Sequence, residues 1–177
     1  MWRQSSKNKQ AEKKFASAQE AYNCALDLLS YRDYSNKKLL ERLQLKGADD
    51  EQAKESVAKL ESYGLLDEER YARRVYESWL AKRCYGRQHL QAELAKRGIR
   101  TEIAADILAL FTPEDEEQNA QRAAELFCQR NRRRLTQEAD NKKIYAAAGR
   151  FMAARGFAAR YMHIILDRLH FETICSR

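Results

Sequence analysis

Residues 64–99 read GLLDEERYARRVYESWLAKRCYGRQHLQAELAKRGI, and this stretch decides the fold class. Asp67 is a strong N-cap, because its carboxylate accepts from the free N–H groups of a first helical turn. Glu68 and Glu69 put negative charge at the positive end of the same helix dipole. Tyr71, Val75 and Trp79, with Ala72, Tyr76 and Leu80 beside them, recur at helical spacing and form one apolar stripe. Gly86 interrupts the pattern, Leu90, Leu94 and Ala95 resume it, and Gly98 closes it as a left-handed C-cap.

The same grammar extends outward. Ala18, Tyr22, Ala25, Leu26 and Leu29 predict a helix to about Tyr31. Ser35 caps a second helix carrying Leu39, Leu40 and Leu43. Asp49 or Asp50 opens a third, with Ala53, Val57 and Leu60 on one face. Downstream, Thr101 to Phe111 reads as a helix. Thr112-Pro113-Glu114-Asp115 offers an N-cap, a proline at the first helical position and acids in the first turn. The helix it starts is closed by the basic run Arg130, Arg132, Arg133 and Arg134. A polar link from Thr136 to Asp140 precedes a helix ending at Arg155-Gly156-Phe157 and a last helix with Tyr161, Ile164, Ile165 and Leu169.

Gly47, Gly98 and Gly156, spaced by 51 and 58 residues, set a common register. Four residues before them stand Leu43, Leu94 and Met152; ten after, Val57, Leu108 and Leu166; thirteen after, Leu60, Phe111 and Leu169. Lys46, Arg97 and Arg155 directly precede them. The expected architecture is therefore all-α: three tandem three-helix repeats stacked into an elongated, curved body. Their expected bounds are 15–64, 65–112 and 113–170, between a basic tail (1–14) and a C-terminal tail (171–177).

Composition agrees. Hydrophobic residues make up 44% of the 177 and charged residues 33%, with one proline and six glycines, which favours long helices and short turns. No apolar run approaches the roughly 20 residues of a membrane span, and MWRQSSKNKQAEKK is too polar for a secretory signal. The four cysteines are scattered without a CxxC pair, the pattern of reduced thiols in a cytoplasmic protein. No heptad seam predicts a coiled-coil dimer, and a monomer is expected.

No catalytic constellation is present: no Gly-rich phosphate loop, no GxSxG, no HExxH and no Cys/His cluster. The chain reads as a non-enzyme without metal or cofactor. The acidic groups at 49–51, 67–69 and 114–117 all fall at predicted helix starts, where dipole complementarity accounts for them. The net charge of +7 suits nucleic acid or an acidic protein partner. A helix-turn-helix reader is disfavoured: the third helix of the first two units is net acidic, whereas a recognition helix should be basic. Cations gather on the second helix of each unit: Lys37, Lys38, Arg42 and Lys46; Arg87, Lys96 and Arg97; Lys142, Lys143, Arg150 and Arg155. They read either as a broken basic track or as complements to helix C-termini. Tyr85 reads either as an interface aromatic or as the plug of its turn, and Trp79 as core.

The stretches 28–47 (LLSYRDYSNKKLLERLQLKG), 63–99 and 150–157 (RFMAARGF) resemble the RecX family, regulators of the RecA recombinase. The likeness spans residues 20 to 170, and the central GLLDEERYA and YG…EL…RGI pattern is specific. It implies tandem three-helix repeats and a partner, the RecA filament on single-stranded DNA. Members lie in the filament groove and restrain strand exchange, ATP hydrolysis and stimulated repressor cleavage. Ala81-Lys82-Arg83-Cys84 departs from the family's commoner glycine-containing approach to the Tyr-Gly turn. The expected contact residues, selected for charge and position, are Arg83, Tyr85, Arg87, Arg97, Arg100, Arg130, Arg132, Arg133, Lys142, Lys143 and Arg155. The second reading is a DNA-binding repeat protein acting through phosphate contacts.

Overall fold

The computed structural model describes residues 15–137 and 141–175. The expected basic tail, with Trp2, lies outside the described residues, as do 138–140 of the link. Among the described residues every regular element is helical. The order is α1 (Ala18–Tyr31), α2 (Asn36–Leu45), α3 (Asp50–Ser62), α4 (Glu68–Leu80), α5 (Arg87–Lys96), α6 (Thr101–Ala109), α7 (Pro113–Gln137), α8 (Asn141–Ala154), a 3₁₀ turn (Ala159–Tyr161) and α9 (Met162–Cys175). Two differences from expectation are local. Thr136 and Gln137 still belong to α7, so the Arg130–Arg134 run sits inside the helix, and the last helix continues past residue 170. None of these helices is long and apolar enough to cross a membrane.

The expected caps hold. Ser35 accepts from the backbone N–H of Lys38, and Asp49 and Gln52 form a reciprocal capping box; Ser17, not anticipated from the sequence, caps α1 by accepting from Glu20 N. Asp67 Oδ1 accepts from Arg70 N at 2.8 Å, and Thr112 Oγ1 from Asp115 N at 3.1 Å.

The three glycine turns are copies of one another. Gly47, Gly98 and Gly156 all have positive φ, at 109°, 71° and 76°. In each, the glycine N–H donates to the carbonyl three residues back (3.0, 2.9 and 2.9 Å). The following N–H donates five back, to Leu43, Leu94 or Met152 (3.0, 3.2 and 3.2 Å). This is the Schellman pair of bonds, which satisfies carbonyls left open at a helix end. The buried register is equally regular. Counted from the glycine, positions −8 (Leu39, Leu90, Ala148), −4 (Leu43, Leu94, Met152), +1 (Ala48, Ile99, Phe157), +9 (Ser56, Ile107, Ile165) and +13 (Leu60, Phe111, Leu169) are each no more than 8% exposed.

One expected register position fails. At +10 Val57 is buried, but Leu108 is only half-buried and Leu166 is 38% exposed. The face that packs is +9 and +13, one helical turn apart. In the first repeat +9 is Ser56, which buries its hydroxyl by donating to Gln52 O at 2.7 Å. That polar residue hides the equivalence from an apolar-pattern search.

The chain forms two compact units, one up to Tyr71 and one from Ala72 onward. In the first, α1, α2 and α3 close around Ala21, Ala25, Leu39, Leu43, Ala53, Val57 and Leu60. In the second, α7, α8 and α9 enclose Ala120, Ala124, Phe127, Ala148, Met152, Ile165 and Leu169, with Phe127 and Phe151 edge-to-face at 5.1 Å. The same unit buries Trp79 and Phe111, edge-to-face at 5.0 Å, with Leu90 and Leu94. Trp79 is core, as its stripe predicts; Ala95, expected on the apolar face of α5, is exposed.

Candidate functional site

Within the second unit two glycine turns interlock. Gly86 N donates to Arg155 O at 2.9 Å, and Gln88 N donates to Gly156 O at 3.1 Å. A Cβ on Gly86 would meet Gly156 O at 2.5 Å, and one on Gly156 would meet His89 N at 2.2 Å. Only two residues without side chains permit this approach.

The N-terminus of α5 begins at Gly86, which offers no side-chain cap. The cap comes from α7: Glu116, buried, accepts from Arg87 N at 2.8 Å through Oε1. Its Oε2 receives Arg160 Nη2 at 3.4 Å. Buried Asn119, three residues along α7, donates to Tyr85 O at 3.0 Å. The acids at 114–117 therefore do serve a helix dipole, but Glu116 serves that of α5, a reach no local reading could give. Replacing Glu116 by alanine orphans the Arg87 N–H and should cost about 2–3 kcal/mol in urea unfolding.

This joint gathers Tyr85, Arg87 and Arg155 from the expected contact residues. Arg87 turns inward and donates Nη1 to Phe111 O at 2.9 Å, bridging to the end of α6. Arg155 sits over Phe151, its Cζ 3.6 Å from the ring centre and 5.8 Å from that of Tyr85. Tyr85 packs on His89 with ring centres 4.1 Å apart. Tyr85 is half-buried: its carbonyl accepts from Asn119, and its ring lies against His89 beside two cations. Two of these neighbours escaped the sequence reading. Lys82 Nζ stands 6.0 Å from the Tyr85 ring centre. His89 Nδ1 accepts from Trp79 Nε1 at 2.9 Å. Burial foremost, with the nearby Lys82 and Arg155 charges, lowers the pKa of His89 against an opposing pull from Glu93. No pattern of three metal-type side chains occurs among the described residues.

Arg83 is exposed and has φ 52°, the sole non-glycine with positive φ among the described residues. Its N–H donates to Leu80 O at 3.0 Å just after α4, so Arg83 takes the left-handed position that glycine fills in the other turns. Arg83→Gly should raise stability by about 0.5–1 kcal/mol, less than the left-handed penalty because glycine loosens the unfolded chain. Thermal melts check this.

The remaining candidates divide. Arg97 and Arg100 flank the Gly98 turn, about 15 Å along α5 from Tyr85. Arg97 Nε is paired with Glu93 at 2.7 Å. Arg130, Arg132 and Arg133, in the last turns of α7, and Lys142 and Lys143, in the first turn of α8, are all exposed. α7 and α8 pack together with only three residues between them, so these five cations share one end of a helical hairpin.

A family model described as RecX, first three-helix domain, matches residues 21–60. The regulatory protein RecX of Trichlorobacter lovleyi is 30% identical over 149 residues, covering 84% of this chain and 95% of that protein. That of Syntrophotalea carbinolica is 32% identical over 141 residues, 79% and 90% of the two chains. The RecX of Caldanaerobacter subterraneus is 34% identical over 103 residues, 58% of this chain and 52% of the relative, so the match spans about half of that protein. The crystal structure of RecX from Lactobacillus salivarius superposes with a TM-score of 0.71 at 21% identity, covering 87% of this chain and 97% of that one. A second RecX crystal structure gives 0.73 at 22% identity, with 85% and 73% covered. At those identities the superpositions show the fold, an all-helical repeat, and the sequence relatives carry the assignment. The chain belongs to the RecX family of regulatory proteins.

Proposed function

We propose that this protein binds the RecA filament on single-stranded DNA and restrains its ATP hydrolysis, strand exchange and stimulated repressor cleavage, in recombination and the SOS response. It acts in the cytoplasm, as a monomer and without catalysis of its own. The observation that carries this reading is the alignment over 95% of a regulatory RecX protein. The repeats support it: segments 15–64, 65–112 and 113–170 share one buried register and differ on their surfaces, which suits modest contacts to successive subunits of a helical polymer. Three weak contacts on one chain gain by effective concentration. The contact residues are assigned to two patches, the Lys82–Tyr85–Arg155 cluster with Arg83 and the Arg130–Lys143 hairpin end, and to Arg97 and Arg100 beside the Gly98 turn. Arg87, whose guanidinium donates to Phe111 O, is the remaining assigned residue.

Anisotropy of a labelled oligonucleotide tests the reading: the protein is added to DNA alone and to DNA coated by RecA from the same organism. The reading requires tighter binding to the coated strand. Equal binding to both, with a steep salt dependence, favours the second reading, direct DNA binding through phosphates, for which the exposed cations of the hairpin end are the specific observation.

A further inference from the structure

Lys82, Tyr85, His89 and Arg155 make a second kind of site. We propose that they bind a phosphodiester of single-stranded nucleic acid, with Tyr85 beside the adjoining base, and that occupancy is linked to protonation of His89. The choice of nucleic acid rests on the filament reading above; the site itself does not.

Charge is the first argument. Lys82 and Arg155 flank one aromatic ring at 6.0 and 5.8 Å, and among the described residues neither has a carboxylate within ion-pair distance. Arg155 Nε is buried and lacks an acceptor among those residues. Its cation–π contact with Phe151, 3.6 Å from the ring centre, holds the guanidinium in place, so the cation is positioned before any anion arrives. Cations beside half-buried aromatic rings are the composition that tracks a single-stranded backbone and its bases.

Proton linkage is the second. The Trp79 indole N–H only donates, so His89 Nδ1, which receives it, is unprotonated and the neutral ring carries its proton on Nε2. The charged or titratable groups facing His89 are Lys82 after α4, Tyr85 in the turn, Glu93 on α5 and Arg155 after α8. Burial, Lys82 and Arg155 favour the neutral ring; Glu93 alone opposes them. A phosphate between the two cations cancels their push and adds attraction, so His89 takes up a proton more readily. By reciprocity the phosphate binds more tightly as pH falls through the His89 range. Protonated His89 cannot accept from Trp79, so the indole reports the event.

The test uses the full chain carrying Trp2→Phe, which leaves Trp79 as the only tryptophan, with oligo(dT) and no RecA. Binding is read by Trp79 fluorescence and by anisotropy at about pH 6 and about pH 8. The expected result is roughly three- to tenfold tighter binding at the lower pH, with a fluorescence change on binding. His89→Gln should abolish the pH difference, and exposed Lys82→Gln should weaken binding several-fold without altering the melt. A pH difference that survives in His89→Gln, or affinity unchanged in Lys82→Gln, overturns the site. Equal, equally pH-linked binding of poly-glutamate overturns the assignment to nucleic acid. With RecA left out, failure here leaves the filament reading standing, and failure of that reading leaves this result intact.

Discussion

Gly156→Ala melts the second unit at temperatures where the parent is intact. The position combines two penalties. Its φ of 76° strains any L side chain, at about 1–2 kcal/mol. Its Cβ would fall 2.2 Å from His89 N and 2.9 Å from His89 Cα. These are backbone atoms in the first turn of α5, and no rotamer change relieves them. Moving α5 away breaks the Gly86–Arg155 and Gln88–Gly156 bonds and pulls Arg87 N from Glu116. Overpacking adds about 1–3 kcal/mol and each orphaned buried group about 1–3 more. A total of about 4 kcal/mol or more corresponds to a Tm drop of roughly 15 °C. Gly64→Ala is the internal control: φ is 66°, but nothing lies within 4 Å of its Cβ. It should cost only about 1 kcal/mol. Similar losses from the two variants, read by circular dichroism, would refute the interlock.

Reversing the charge of Arg130, Arg132, Arg133 and Lys143 to glutamate cuts affinity for the RecA-coated strand by roughly a hundredfold. These side chains are exposed, and a melt of the reversed protein separates lost contact from lost stability. Each lost phosphate contact also lowers the slope of log affinity against log salt by about one. A reversed protein that binds the filament with unchanged affinity and unchanged slope assigns these cations to the solvated surface alone. Matched reversal at Arg97 and Arg100 then shows whether the Gly98 turn bears the contact instead.

The helices and their register were legible because their signals are local. An N-cap such as Asp67 lies within a turn of the N–H it satisfies, and each of Gly47, Gly98 and Gly156 closes its own helix through bonds three and five residues long. The buried face was read one residue out of place at +10, because Ser56 masks the +9 position that Ile107 and Ile165 share. The site was legible only in part. Tyr85 and Arg155 stood out as an aromatic and a cation beside glycines, but 70 residues separate them, and nothing local says that their turns interlock. Glu116 was hidden by its own company: three neighbouring acids that suit the start of α7 conceal the one that is buried and caps α5. Lys82 and His89 escaped because their significance depends on contacts with Tyr85, Trp79 and Arg155 that only the fold creates. Arg87 read as a surface cation, yet its guanidinium turns inward to the Phe111 carbonyl.

The most direct test of the account is the ATPase rate of RecA, from the same organism, on single-stranded DNA as this protein is titrated from sub-stoichiometric to equimolar ratios. The account predicts a falling rate, with the four-charge reversal at the hairpin end shifting the curve to higher protein. Inhibition well below one-to-one places the action on filament growth or stability, and inhibition near saturation places it in the groove. An unchanged rate at equimolar protein, alongside tight and salt-steep binding to bare DNA, contradicts it.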